Sequence, residues 1–244
     1  MSRKSRRNPK AAVPQALQVH QAPQANRINR RWLFIASAAV LLLAFVAGAL
    51  VYNSHRAQSA QEAAARNRAA LASDHSPTLG KADARVHIVE FLDPACETCA
   101  AFYPHVKKMI AANPDRIRLS VRHVPFHKGA DELVRALEAT RNQGRYWQTL
   151  EALLATQNRW AVNHTVRMDL AWWVIEGVGV DLQRIRNDMN APEIARRMEQ
   201  DIADARALDV TKTPEYFVNG RPLPRFGLKE LEDLVAEELR AAYR

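Results

Sequence analysis

The chain of 244 residues is 48% apolar with a formal charge of +9, enough apolar material for one sizeable core plus appended segments. Residues 1–31 hold eight basic groups and no acid, leaving 27 basic and 26 acidic residues beyond them. The excess charge belongs to a tail, which argues against a basic nucleic-acid-binding face on the folded part.

Residues 1–31 are rich in Pro, Gln, Asn and Arg with little periodicity, the composition of a disordered cytoplasmic tail. Residues 32–52, from Trp32 to Tyr52, run without a charge. As a helix they span about 32 Å, the thickness of a bilayer's hydrocarbon core. Aromatic residues at both ends suit the membrane interfaces, and Arg30 with Arg31 places the N-terminus inside. The competing reading is a cleaved signal peptide, since Ala47-Gly48-Ala49 resembles a cleavage site. The long basic leader and the length of the apolar run favour an uncleaved single-pass anchor, with the remainder in a periplasm-like compartment.

Residues 53–75 contain good helix formers but no strong apolar face, and read as a partly helical stalk or linker. Ser76-Pro77 and Gly80 mark the entry to a folded domain over 76–244. The run Val86 to Leu92 predicts a strand, 96–112 a helix bent at Pro104, and 116–124 a second, alternating strand. In that alternation Arg118 and Arg122 are most simply a solvated or snorkelling face.

Between the first strand and the helix lie the chain's two cysteines, in Asp93-Pro94-Ala95-Cys96-Glu97-Thr98-Cys99. A thiol at a helix N-terminus is stabilised as thiolate, and positions i and i+3 of a first turn can close a disulfide. A purely structural staple closing so small a loop would stabilise weakly, so a reactive dithiol is the stronger reading.

Residues 128–206 read as helical almost throughout, with breaks near Gly144, Asn158, Gly177 to Gly179 and Pro192. Trp147, Trp160, Trp172 and Trp173 are expected to fill the core of this segment. Strand character returns at Glu215 to Val218, Asn219-Gly220 signals a hairpin, and 228–242 forms an amphipathic helix. The histidines are scattered, and two cysteines supply only half of a zinc site, so no metal and no cofactor are expected.

Phe91 to Cys99, together with Val210-Thr211-Lys212-Thr213-Pro214-Glu215-Tyr216-Phe217-Val218-Asn219-Gly220, resembles the DsbA-type thiol–disulfide oxidoreductases over about residues 76–242. The resemblance implies an α/β thioredoxin-like fold with an inserted helical domain at about 128–206, preceded here by a single transmembrane helix. It implies that Cys96 is the attacking thiolate and Cys99 the buried resolving thiol. Thr213 and Pro214 would form a cis peptide opposite the disulfide, where the Thr213 backbone pairs with substrate. Glu90 matches a buried acid that handles the proton of the resolving cysteine, although its strand position alone equally fits a solvent-facing residue. A trans turn proline is likewise the ordinary reading of Pro214.

The implied function is a membrane-tethered periplasmic oxidoreductase exchanging disulfides with cysteine-containing proteins and recharged by a membrane or periplasmic redox partner. Its expected location is the bacterial inner membrane. The intervening pair departs from the strongly oxidising Pro-His pattern. Thr98 offers one neutral hydrogen bond and Glu97, when ionised, opposes a thiolate, so Cys96 should titrate above the extreme value of about 3.5. The alternative is a non-catalytic thioredoxin-like binding or metal-carrier module for envelope protein assembly. A copper carrier would add a His or Met near the thiols, and none is apparent by spacing.

Overall fold

The computed structural model describes residues 30–244. The disordered tail expected over 1–31 lies outside the described residues, save Arg30 and Arg31, which open the first helix. The chain divides into two units, Met1–Tyr52 and Asn53–Arg244.

In the first unit, helix α1 (Arg30–Leu71) begins, and its apolar side chains from Trp32 to Tyr52 are exposed. Its most apolar stretch has a mean hydropathy of 2.6, long and apolar enough by length and composition to cross a membrane.

In the second unit α1 continues to Leu71, so the segment read as a partly helical stalk is helical over most of its length. Small side chains let it approach the domain closely: Ala64 and Leu71 are buried, and Asn67 Nδ2 donates to the Gly220 carbonyl at 3.3 Å. Gly220 has φ +85°, and a Cβ there would stand 2.9 Å from the Ala64 carbonyl oxygen. Only glycine satisfies both demands.

The elements that follow are β1 (Thr78–Leu79), β2 (Val86–Leu92), α2 (Glu97–Ala112) and β3 (Ile117–His123). Helices α3 (Ala130–Ala139), α4 (Tyr146–Ala155) and α5 (Gln157–Trp160) come next, then a hairpin of β4 (Ala161–Val162) and β5 (Thr165–Val166). The chain continues with α6 (Met168–Glu176), α7 (Leu182–Asp188), α8 (Pro192–Ala207), β6 (Glu215–Val218), β7 (Arg221–Pro222) and α9 (Leu228–Ala242). The main sheet has the order β1-β3-β2-β6-β7. Strands β2 and β3 are parallel, as their connection through α2 requires, and β6 returns antiparallel to β2.

The sheet is covered on both faces, which explains the nearly unbroken apolar run of the central strand β2. One face presents Val86, Ile88 and Leu92 with Leu119, Val121, Tyr216 and Val218, and packs with Val106 of α2 and Leu231, Leu234 and Val235 of α9. The insertion joins this core through Leu133, Leu137, Leu150, Leu153 and Trp160. The other face presents Val89, Phe91 and Phe217 with Leu71 of α1 and Ala205 of α8.

That second covering corrects the reading of Arg122 as part of a solvated face. Arg122 is fully buried: Nε donates to Asp201, Nη2 to Asp204 Oδ2 at 2.5 Å, and Nη1 to the Ala70 carbonyl at 3.2 Å. Asp201 also accepts from the His123 amide at 2.9 Å and pairs with His75 Nε2 at 2.8 Å. The polar side of β3 is therefore roofed by α8, whose carboxylates neutralise the guanidinium. Arg118, on the same side, stays partly exposed. A second correction concerns the tryptophans. Trp160 is fully buried with Nε1 donating to Leu153 O at 3.0 Å, but Trp173 is 73% exposed and fills no core.

The insertion is helical apart from its small hairpin. The two-residue turn puts Asn163 and His164 at φ 48° and 56°, the positive pair that such hairpins use. The break expected near Asn158 falls two residues earlier, at Thr156, because Gln157 to Trp160 form a short helix.

Candidate active site

Strand β2 ends at Leu92, and three residues carry the chain to Cys96, the N-cap of α2 with φ −79° and ψ 118°. The turn is closed by Cys96 N–H donating to the Asp93 carbonyl at 3.0 Å. The fully buried Asp93 carboxylate does the rest: Oδ1 accepts from Ala95 N–H at 2.8 Å. Its Oδ2 accepts from the amides of Phe126 and His127 at 2.7 and 2.8 Å and from His127 Nδ1 at 2.7 Å. A single carboxylate thus clasps the turn to the loop after β3.

From the other side, Gln157 of α5 donates through Nε2 to the Pro94 carbonyl at 2.7 Å and to the Cys96 carbonyl at 2.9 Å. The insertion is in this way fastened directly to the residue carrying the outer sulfur.

Both cysteines are free thiols; Cys96 is 7% exposed and Cys99 is fully buried. The Cys96 thiol is lowered to about 5, first by a hydrogen bond from the Cys99 thiol. Burial opposes this, while the Thr213 side chain and the N–H groups of Cys99 and Thr98 reinforce it. When protonated, Cys96 Sγ donates to the Thr213 carbonyl at 3.1 Å. Cys99 moves the opposite way, well above its ordinary range, through burial, the bond it gives to Cys96 and the nearby charge of Glu90. Adjacent thiols with opposed titrations form a pair in which one sulfur is ionised and the other protonated at neutral pH.

Thr213–Pro214 is a cis peptide. Lys212, just before it, lies over the ring of Phe226 with Nζ 5.0 Å from the centroid. Phe226 stacks on Phe102 at 5.2 Å, and Phe102 on Tyr216 at 6.2 Å, a ring column from the rim inward.

Glu90 is electrostatically coupled to both thiols. It is fully buried at the centre of β2, and burial pushes its carboxyl up to about 8, against a hydrogen bond from Tyr216 and helped by the charge of Cys96. The structure brings Glu90, Cys96, Cys99, Thr213 and Pro214 into one site. Thr98 adds its backbone N–H, whereas Glu97 is solvent-exposed in the first turn of α2. Asp93, His127, Gln157 and Tyr216 escaped the sequence reading. Asp93 stood within the motif, but nothing in a helical stretch such as Ala155 to Trp160 marks its one glutamine as reaching the turn.

A parallel β-α-β unit joined to an antiparallel hairpin, with a dithiol at the helix N-terminus, defines the thioredoxin-like class of proteins. Residues 72–237 match the family model described as Thioredoxin, and the chain belongs to that family. Among solved structures it is similar to a thioredoxin-like oxidoreductase from Silicibacter pomeroyi DSS-3, with 28% identity and a TM-score of 0.62 over 71% of this chain and 98% of that one. It also resembles oxidised BdbD from Bacillus subtilis, 23% identical with a TM-score of 0.60 over 68% of this chain and 94% of that one. The thiol-disulfide exchange protein alpha-DsbA2 from Wolbachia pipientis is 18% identical with a TM-score of 0.63 over 75% and 97%. These last two likenesses are of fold.

A curated relative, the Na(+)/H(+) antiporter NhaA from Herminiimonas arsenicoxydans, is 33% identical over 144 residues. That match covers 59% of this chain and 22% of the antiporter. The chain spans about a fifth of the length of the curated relatives it matches.

Proposed function

We propose that this protein is a membrane-tethered thiol–disulfide oxidoreductase that exchanges disulfides with cysteine-containing proteins through Cys96 and Cys99, on the periplasmic side of a bacterial inner membrane. The observation that carries this reading is the placement of two free thiols at the start of α2. Cys96, 7% exposed, caps the helix 3.1 Å from the carbonyl of Thr213 in the cis Thr213–Pro214 pair, and Cys99 is fully buried behind it, with Cys96 lowered and Cys99 raised.

In the reducing direction the Cys96 thiolate attacks one sulfur of a substrate disulfide. A mixed disulfide forms, and the other substrate sulfur leaves as a thiolate that takes a proton from water. Cys99 then gives its proton to Glu90 in the fraction of molecules whose carboxyl is ionised, a fraction that grows as pH rises towards 8, and attacks the Cys96 sulfur. The Cys96–Cys99 disulfide forms, the second substrate sulfur departs, and two electrons have passed to the substrate. The same steps in reverse oxidise a dithiol, and the relative potentials set the direction. The Thr213 carbonyl, beside the Cys96 sulfur, is placed to pair with an extended substrate backbone.

An apolar N-terminal helix supports tethering, and the positive leader before it supports a cytoplasmic N-terminus. The segment's likeness to part of a membrane antiporter fits a domain that works beside a membrane. The test is turnover of insulin disulfides and of a dithiol peptide by the detergent-solubilised chain and by Cys96→Ser. Activity abolished by the substitution supports the reading; no activity in either chain overturns it.

A further inference from the structure

The carboxyl group of Glu90 has two oxygens in different circumstances. Glu90 and Tyr216 face each other in register across the antiparallel pair β2–β6, and both are fully buried. The Tyr216 hydroxyl donates to Oε1 at 2.9 Å, whereas Oε2 is buried without a hydrogen-bond partner among the described residues. An orphaned buried oxygen is costly and calls for an explanation, of which a catalytic role is one.

Building on the function proposed above, we propose that Tyr216 is a positioning residue for proton transfer: by occupying Oε1 it leaves Oε2 as the oxygen that takes the proton of Cys99.

Tyr216 is suited to this because it remains a donor. Burial and the charge of Glu90 hold its own hydroxyl well above the ordinary phenol range, so it does not compete for the transferred proton. Its ring is set by Phe102, stacked at 16° between planes. Of the groups around Glu90, the catalytic turn and α2 contribute Cys96, Cys99 and Tyr103, all electrostatically coupled to it. The Tyr103 hydroxyl is directed instead to Glu151 at 3.3 Å. Strand β3 places apolar Val121 opposite Glu90, and α9 contributes apolar Leu231, Leu234 and Val235 to the same core. Tyr216 thus provides the hydrogen bond that lets Glu90 ionise in so dry a place. Without it, unopposed burial would push the carboxyl higher still and shrink the ionised fraction that can accept from Cys99.

The experiment follows release of a reporter thiol from a Cys96 mixed disulfide, a step that needs Cys99, as a function of pH. It compares the solubilised full chain with Tyr216→Phe, Glu90→Gln and the double variant. Tyr216→Phe should move the Glu90-dependent inflection upward by about one pH unit, the strength of one hydrogen bond to a charged group. In the Glu90→Gln background the same change should move nothing further. A Tyr216→Phe profile superimposed on the parent's, or a shift persisting without Glu90, overturns the proposal while leaving the exchange function intact. A parent chain that forms no mixed disulfide removes both. A readout on the unsubstituted chain guards against misfolding of the variants: the infrared carbonyl band lost in Glu90→Gln should lie on the hydrogen-bonded side of the range. A band at the free-acid position overturns the assignment.

Discussion

The side-chain amide of Gln157 lies 2.9 Å from the carbonyl oxygen of Cys96, so a residue of the inserted helices holds the residue that carries the outer thiol. The same nitrogen reaches Pro94 O at 2.7 Å. Replacing Gln157 by Leu, close in volume, leaves the buried Pro94 carbonyl unpaired, while the Cys96 carbonyl keeps its bond from the Ala100 amide at 3.1 Å, at a cost of about 1–3 kcal/mol. We expect a lower thermal midpoint and an upward shift of the Cys96 titration, read from thiolate absorbance, as the turn loosens over the helix N-terminus. An unchanged midpoint together with an unchanged titration would mean that the two bonds contribute nothing.

Alkylation of the reduced chain at pH 6 should label Cys96 and spare Cys99, because only the former is lowered into the ionised range and has any surface exposed. The bond from Cys99 is the foremost cause of the lowered Cys96 titration. Cys99→Ala should therefore raise it by about one unit. Equal, slow labelling at both positions in the parent chain contradicts the assignment of roles.

Stability should depend on pH through two opposed groups. Glu90 is raised in the folded state from 4.5 to about 8, so the native protein holds a proton that the unfolded chain releases. Its contribution is fully present below pH 4.5 and is lost as pH rises through 8. Glu90→Gln should therefore become the more stable chain towards pH 8, by on the order of 3 kcal/mol, and show no such advantage at pH 4. Cys96 runs the other way: lowered from 9.0 to about 5, it favours the reduced fold above pH 9 and loses that effect as pH falls through 5. Denaturant titrations of reduced and oxidised protein across this range separate the two.

Arg122 is the fixed cation of a buried cluster with Asp201 and Asp204. Arg122→Met leaves two carboxylates without their partner where α8 meets the sheet, which should cost about 3–5 kcal/mol. Circular dichroism melts measure it. A loss below 1 kcal/mol would show that the carboxylates find compensation elsewhere.

The elements that position the thiols were readable from sequence because each carries its own period. The apolar run Val86 to Leu92, the amphipathic 228–242 and the Asn219-Gly220 turn are local signals, and all three fall where they were read. Arg122 misled because alternation reports only that one side of a strand is polar. Whether that side meets water depends on α8, roughly eighty positions later, whose Asp201 and Asp204 look like ordinary surface acids until they face the guanidinium. Trp173 misled in the opposite sense, since large apolar size predicts burial on average and not at a particular turn of α6. Gln157 and Tyr216 were silent for a simpler reason: their roles consist of one or two hydrogen bonds to residues more than sixty positions away.

The Asp93 clasp has a practical corollary. Because one carboxylate grips the dithiol turn and the amides of Phe126 and His127 together, any rearrangement that accompanies disulfide closure must tug on those two protons. Their nuclear resonances become a built-in gauge of oxidation state, legible without touching either sulfur.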